Sequence, residues 1–223
     1  MPIRSAASLK VGAIIDKTLG VIEHNIPPVL LCAAGLTVVN SAVAYFTQGM
    51  TRIADGLVIW VAGVAVGIVA AYLLVDAMVR RTGLRSRTEG DVFVAYCIMA
   101  ILSTLGVLGG IILLVIPGLV FWARWIIAAP TLIARGGSGI GALGESWERT
   151  RGAEFQILVA LLALLIGPIA VIIACAVLFE RADPVGIVIS QFATSLTTVI
   201  SLAMGLAIYG MLESQQDTPS PAR

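Results

Sequence analysis

The chain is predicted to be an all-α, polytopic membrane protein of six transmembrane helices, and three observations carry that expectation. Of its 223 residues, 59% are hydrophobic and 12% charged, with a mean hydropathy of +1.01. Soluble domains carry about 25% charged residues, so too few charges are present to coat a soluble core. The apolar residues fall into six blocks, most of them near the roughly 20 residues a membrane-crossing helix needs. The basic residues also alternate between loops in a way that six crossings explain. A formal net charge of +1 leaves no overall basic field, so nucleic acid is not an expected partner.

The spans are expected near Ile26–Phe46, Gly56–Val79, Val92–Leu113, Leu119–Ala134, Phe155–Phe179 and Val185–Leu212. Together they form one integral membrane domain over residues 1–212. The fourth is short, and Ile116-Pro117-Gly118 precedes it. Pro disfavours the α region at Ile116 and Gly permits a reversal, so a tight hairpin is expected there. One long kinked helix with a re-entrant piece is the alternative. Six crossings put Arg4, Lys10, Lys17, Arg80, Arg81, Arg85, Arg87, Arg135, Arg149, Arg151 and Arg223 on one side, and only Arg52 and Arg181 on the other. The positive-inside rule then predicts that both termini are cytoplasmic.

Residues 8–24 lack the continuous apolar core of a signal peptide. As a helix they place Val11, Ile14, Ile15, Thr18, Leu19 and Ile22 on one face and Lys10, Asp16, Lys17 and Glu23 on the other. That pattern predicts an interfacial amphipathic helix; a solvated helix packed on a partner is the alternative. A second amphipathic segment is expected at Ser138–Arg151, with Ile140, Leu143 and Trp147 on its apolar face and Trp147 as an interfacial anchor. The tail Glu213–Arg223 is polar and expected to be disordered.

Arg124 stands alone within the apolar run around the fourth span. An arginine near a bilayer centre costs about 2.5–3.5 kcal/mol, so it requires partners. Counted inward from Gly118 it lies roughly six residues, about 9 Å, below the outer boundary. Gln191 and Asn40 reach similar depths, and an intramembrane polar layer of Arg124, Gln191, Asn40 and Thr194 is expected. Asp76 has Arg80 at i+4 as a structural partner. The hydroxyls Ser190, Thr194, Thr197, Thr198 and Ser201 recur at helical spacing; they either bond their own helix or line a cavity. Small residues four apart at Gly63 and Gly67, continued by Ala71, suggest a helix-packing or partner face. Gly106 and Gly110 repeat the spacing in span three. The cluster Arg80, Arg81, Arg85 and Arg87 suits anionic lipid head groups, although control of topology explains it equally.

Catalytic machinery is not expected. His24 is the only histidine and lies before the first span, and Cys32, Cys97 and Cys175 lie in three different spans. No spacing of ligands suggests a metal, and no nucleophile elbow or zinc-protease motif occurs. No cofactor is expected. The segment 136–139, GGSG, has neither the preceding strand nor the following Lys-Ser/Thr of a phosphate loop.

The stretch 116–152, IPGLVFWARWIIAAPTLIARGGSGIGALGESWERTRG, resembles the glycerophosphoryl diester phosphodiesterase membrane-domain family. The resemblance rests on Pro117-Gly118, Arg124-Trp125, Ala129-Pro130, Ala142-Leu143, Ser146-Trp147 and Thr150-Arg151-Gly152. It implies a six-helix integral membrane fold. The hydrolase of diesterase members is a separate barrel domain that this chain lacks, so the resemblance implies no activity. The expected role is a non-enzymatic scaffold or accessory subunit. The alternative is a lipid-binding or small-solute transport protein with a polar cavity around Arg124. Expected partners are membrane lipids, other integral membrane proteins or a second copy of the chain.

Overall fold

A computed structural model describes residues 9–48, 50, 52–84, 92–180 and 183–216. Among these the chain is helical, without strands: α1 (Val11–His24), α2 (Ile26–Thr47), α3 (Ile53–Thr82), α4 (Phe93–Leu113), α5 (Val115–Trp125), α6 (Ala128–Arg135), α7 (Gly139–Arg149), α8 (Glu154–Leu178) and α9 (Pro184–Gln216). Six segments are long and apolar enough to cross a membrane, the fourth being Ile116–Arg135, which joins α5 and α6. The all-α polytopic architecture is therefore present. The chain alternates between two poles, and one of them gathers Arg80, Arg81, Arg135, Arg149 and Arg151. The α1–α2 junction and the end of α9 lie at this arginine-rich pole, while Arg52 lies at the other.

Local chemistry sets the ends. Gly83 closes α3 in the left-handed region at φ 68°, where a side chain would strain the backbone. Ser138 Oγ accepts from Gly141 N at 3.1 Å and caps α7. Asp183 Oδ1 accepts from Val185 N at 2.8 Å and Gly186 N at 3.3 Å, with Pro184 at the first helical position. Gly152, at φ 84°, turns the chain from α7 into α8. Helix α8 continues through Pro168, so Gly167-Pro168 does not divide it.

The hairpin exists, but its reversal precedes the Pro-Gly pair. Leu114 is extended and separates α4 from α5. Pro117 sits in the first turn of α5, where its missing N–H removes no helical hydrogen bond. Gly118 serves close approach: a Cβ there would stand 2.6 Å from Ile111 N, and one on Gly110 would stand 2.8 Å from Gly118 Cα. A Cβ on Gly106 would overlap the Trp125 ring. The small residues of span three thus seat the second arm of the hairpin against α4.

That second arm is broken between α5 and α6, around Ile126–Ile127. Pro130 has no N–H for the Ile126 carbonyl, its i−4 acceptor. Gly205 of α9 lies against this oxygen so closely that a Cβ would overlap it, leaving room only for a weak Cα–H contact. The core sits around this break. Ile127, Leu132 and Ile133 of the hairpin meet Met204, Leu206 and Ile208 of α9, with Met78 and Val79 of α3 and Ile157 and Leu161 of α8.

Helix α1 packs on α9 and α8 of its own chain, burying Ile14 and Thr18, while Leu19 remains exposed. One expectation about the ends is corrected. Helix α9 continues to Gln216, so Glu213 belongs to the helical bundle and not to a tail. Residues 217–223 lie outside the described residues.

Candidate functional site

Arg124 closes a polar node at the break. It lies ten residues past the reversal at Leu114, about 15 Å along a helix. Its side chain reaches towards the arginine-rich pole. There it forms an ion pair with Glu154, the first residue of α8. Its Nη1 donates to Trp147 O at 3.1 Å. The guanidinium also lies 4.4 Å from the centre of the Trp147 ring, a cation–π arrangement that contributes most when desolvated. Arg124 Nε is buried without a partner.

The backbone of Arg124 belongs to the same node. At the frayed end of α5 its carbonyl accepts from Ser146 Oγ at 2.6 Å, and Thr150 Oγ1 lies 3.1 Å away. The hydroxyls of Ser146 in α7 and of Thr150, which follows it, therefore satisfy an oxygen that a continuous helix would have bonded internally. Phe121, Trp125 and Trp147 enclose the site: Phe121 stacks on Trp125 at 5.0 Å, and Trp147 lies 5.6 Å and 6.3 Å from the two.

Neither Gln191 nor Asn40, the expected partners in a polar layer, is among the contacts of Arg124 in the described residues. The depth estimate began the helix at Gly118, three residues late, and left out the inward reach of the side chain. Thr194 is exposed, and its hydroxyl donates to Ser190 O at 2.9 Å. Ser195, Thr197, Thr198 and Ser201 likewise donate to carbonyls four residues back, and Ser190 donates to Ile187 O three back, so the hydroxyl row of α9 satisfies itself. Trp147 is a wall of the Arg124 node and not a lone interfacial anchor. The buried side of α7 is accordingly rotated: Ala142, Leu143, Ser146 and Arg149 are buried while Ile140 is 68% exposed.

Reading the residues in isolation missed a second network. Arg149 is 5% exposed. Its Nη2 lies 2.7 Å from Glu213 Oε1 and its Nη1 3.4 Å from Glu145 Oε1. Arg135 completes the circuit, 2.6 Å from Glu145 and 2.8 Å from Glu213. The four charges alternate in a closed ring that ties α6, α7 and α9, and Arg149 also lies over Tyr209 at 5.2 Å. The signal was present: Glu154 and Glu213 are single carboxylates at the edges of apolar spans.

The remaining candidates separate. Gly63 packs on α2, where a Cβ would meet Val43 at 2.9 Å, while Gly67 faces open space. Both line a cavity of about 290 Å³ with Ala71, Asn40, Tyr96 and Thr198. The stripe is thus the wall of a cleft within the chain. A cavity of about 410 Å³ runs along α4 from Tyr96 to Ile111, bounded by Trp122, Trp125 and Ser201. Arg124 lines neither. Arg80 pairs with Asp76 at 2.7 Å as expected; Arg81 is exposed, and Arg85 and Arg87 lie outside the described residues. Cys32, Cys97 and Cys175 are free thiols.

Comparison with known proteins adds no relative: no family model matches the chain, nor does any curated protein or solved structure.

Proposed function

We propose that this chain is a non-enzymatic scaffold or accessory subunit of the bacterial inner membrane, with its arginine-rich pole and both termini in the cytoplasm. One observation carries the reading. The arginine that interrupts the apolar core is consumed by Glu154, Trp147 and the α5–α6 break. A charge held in that way locks helices together and is withdrawn from solute or substrate. Broad apolar faces on α2, α3 and α4 remain for lipid or a neighbouring membrane protein, including Val58, Trp60 and Leu105. Membership of the glycerophosphoryl diester phosphodiesterase membrane-domain family is part of the proposal. Arg124, Trp125, Ser146, Trp147 and Thr150, through which the chain resembles that family, converge on the Arg124 node.

Native mass spectrometry of the protein extracted from its own membrane tests the role. A defined assembly with a second membrane protein, or with a second copy, is expected. A monomer alone removes the scaffold reading, and sustained glycerophosphodiester turnover by the pure chain overturns the non-enzymatic one. Reporter fusions at the two termini test the orientation.

A further inference from the structure

Tyr96 is 3% exposed, and no hydrogen bond from its hydroxyl is present among the described residues, although the hydroxyl oxygen is not among the fully buried unpartnered atoms. Phenols in protein interiors ordinarily have a partner. The hydroxyl is not sealed in apolar packing, because Tyr96 borders both cavities. Ala100, one turn along α4, also borders both. The two clefts therefore meet around Tyr96 and Ala100. Asn40 in the smaller cleft has no partner either.

Both clefts run away from the arginine-rich pole. The larger follows α4 from Tyr96 to Ile111, a rise of about 22 Å. The smaller follows α3 from Ala71 to Trp60, about 16 Å. Among the described residues, no charged side chain lines either one. Their volumes, about 410 and 290 Å³, suit small-molecule ligands, whose sites span about 300–1,000 Å³. A helix about 10 Å wide would not enter the smaller, whereas an alkyl chain would lie along Gly63, Gly67 and Ala71. Both clefts lie among apolar spans, where the surrounding medium is lipid.

We propose that the paired clefts bind one diacyl glycerolipid, one chain in each, with the Tyr96 hydroxyl donating to an ester carbonyl where the chains diverge. A mainly apolar groove and a smaller one with Asn40 and Thr198 in its wall, joined at Tyr96, match a molecule with two chains joined through ester groups. This inference is independent of the scaffold reading: a monomer that still takes up one lipid removes the scaffold and leaves the lipid site standing.

The test uses the full chain in detergent and a phosphatidylcholine with dibrominated chains, which quenches nearby tryptophan. Trp122 and Trp125 line the larger cleft and Trp60 the smaller. Saturable quenching at one lipid per chain is expected. Tyr96→Phe keeps the ring and removes the donor, and should weaken binding about 2- to 10-fold, the range for one neutral hydrogen bond, without lowering the unfolding midpoint. Gly67→Leu should fill the smaller cleft and abolish quenching of Trp60; if that variant does not fold, Tyr96→Phe decides alone. Quenching that rises linearly with lipid, or wild-type affinity in Tyr96→Phe, overturns the proposal. Displacement of the lipid by equimolar ubiquinone overturns its assignment as a glycerolipid.

Discussion

The hairpin's second arm and the α2–α3 pair are both apolar, but they are held in different ways. In the most apolar stretch of Ile116–Arg135, 50% of residues are buried, against 11% in that of Ala54–Thr82. The first region meets α4, α7, α8 and α9, and both charged networks lie in or beside it. The second leans on α9 and enters the core through Met78 and Val79, but it carries much of the exposed apolar surface, with the Asp76–Arg80 pair near its end. Because lipid is as apolar as leucine, an outward apolar face contributes little to helix association. Polar groups therefore fix the geometry where the chain is thickest, and the thinner arm is left open beside a cleft.

Arg124→Ala offers the sharpest way to break this contrast. The substitution removes a partly buried ion pair, the hydrogen bond to Trp147 O and the contact with the Trp147 ring. Breaking a fully buried pair costs about 3–5 kcal/mol, so the stability read from the unfolding midpoint in detergent should drop by a sizeable part of that. Arg81→Ala, at an exposed site, should stay within about 0.5 kcal/mol of wild type. Equal midpoints would show that the node does not hold the hairpin. The double variant Arg124→Met/Glu154→Leu should recover much of the loss, since an apolar pair can replace a buried ionic one; a double variant no more stable than Arg124→Ala would contradict that.

Gly118→Val comes next, with a cost of about 1–3 kcal/mol or more from overpacking against Ile111. Cysteine cross-linking across the α4–α5 seam should lose efficiency in this variant and stay unchanged in the lipid-facing Leu105→Ala. Ser146→Ala should cost about 1 kcal/mol, by leaving the Arg124 carbonyl with Thr150 alone. A neutral result would mean that Thr150 suffices.

The smallest effects separate two glycines of one stripe. Gly67→Ala meets open space and should be neutral or stabilise by up to about 1 kcal/mol. Gly63→Ala meets Val43 at 2.9 Å and should be less favourable. Reversal of that order in unfolding measurements would place the packing contact elsewhere on α3.

The six spans were legible because their length and apolarity are properties of the chain itself. So was the Asp76–Arg80 pair, which helical spacing brings together. The partners of Arg124 were not, because they come from two other helices and depend on a break that Pro130 introduces. Depth counted along an unbroken helix put Arg124 level with Gln191. A helix that begins three residues earlier and the reach of a long side chain put its charge beside Glu154 instead. Arg149 looked like part of a solvated face, since nothing local indicates that Glu213 returns to meet it from the end of the last span. Single charges at span edges were the available signal, and Glu154, Glu213 and Arg135 all carry it.

The distance in sequence between Arg124 and Glu154 also governs synthesis. Glu154 is made thirty residues later, a delay of about 1.5–6 s at 5–20 residues per second. During that interval the membrane receives an unpaired arginine on an arm whose first helix, α5, has 11 residues, too few to span alone. The seam of Gly106, Gly110 and Gly118 is complete before then, so α4 can hold the arm while the counter-ion is still being translated. Replacing those glycines would therefore reduce the yield of inserted protein by more than the loss of stability in the finished fold accounts for.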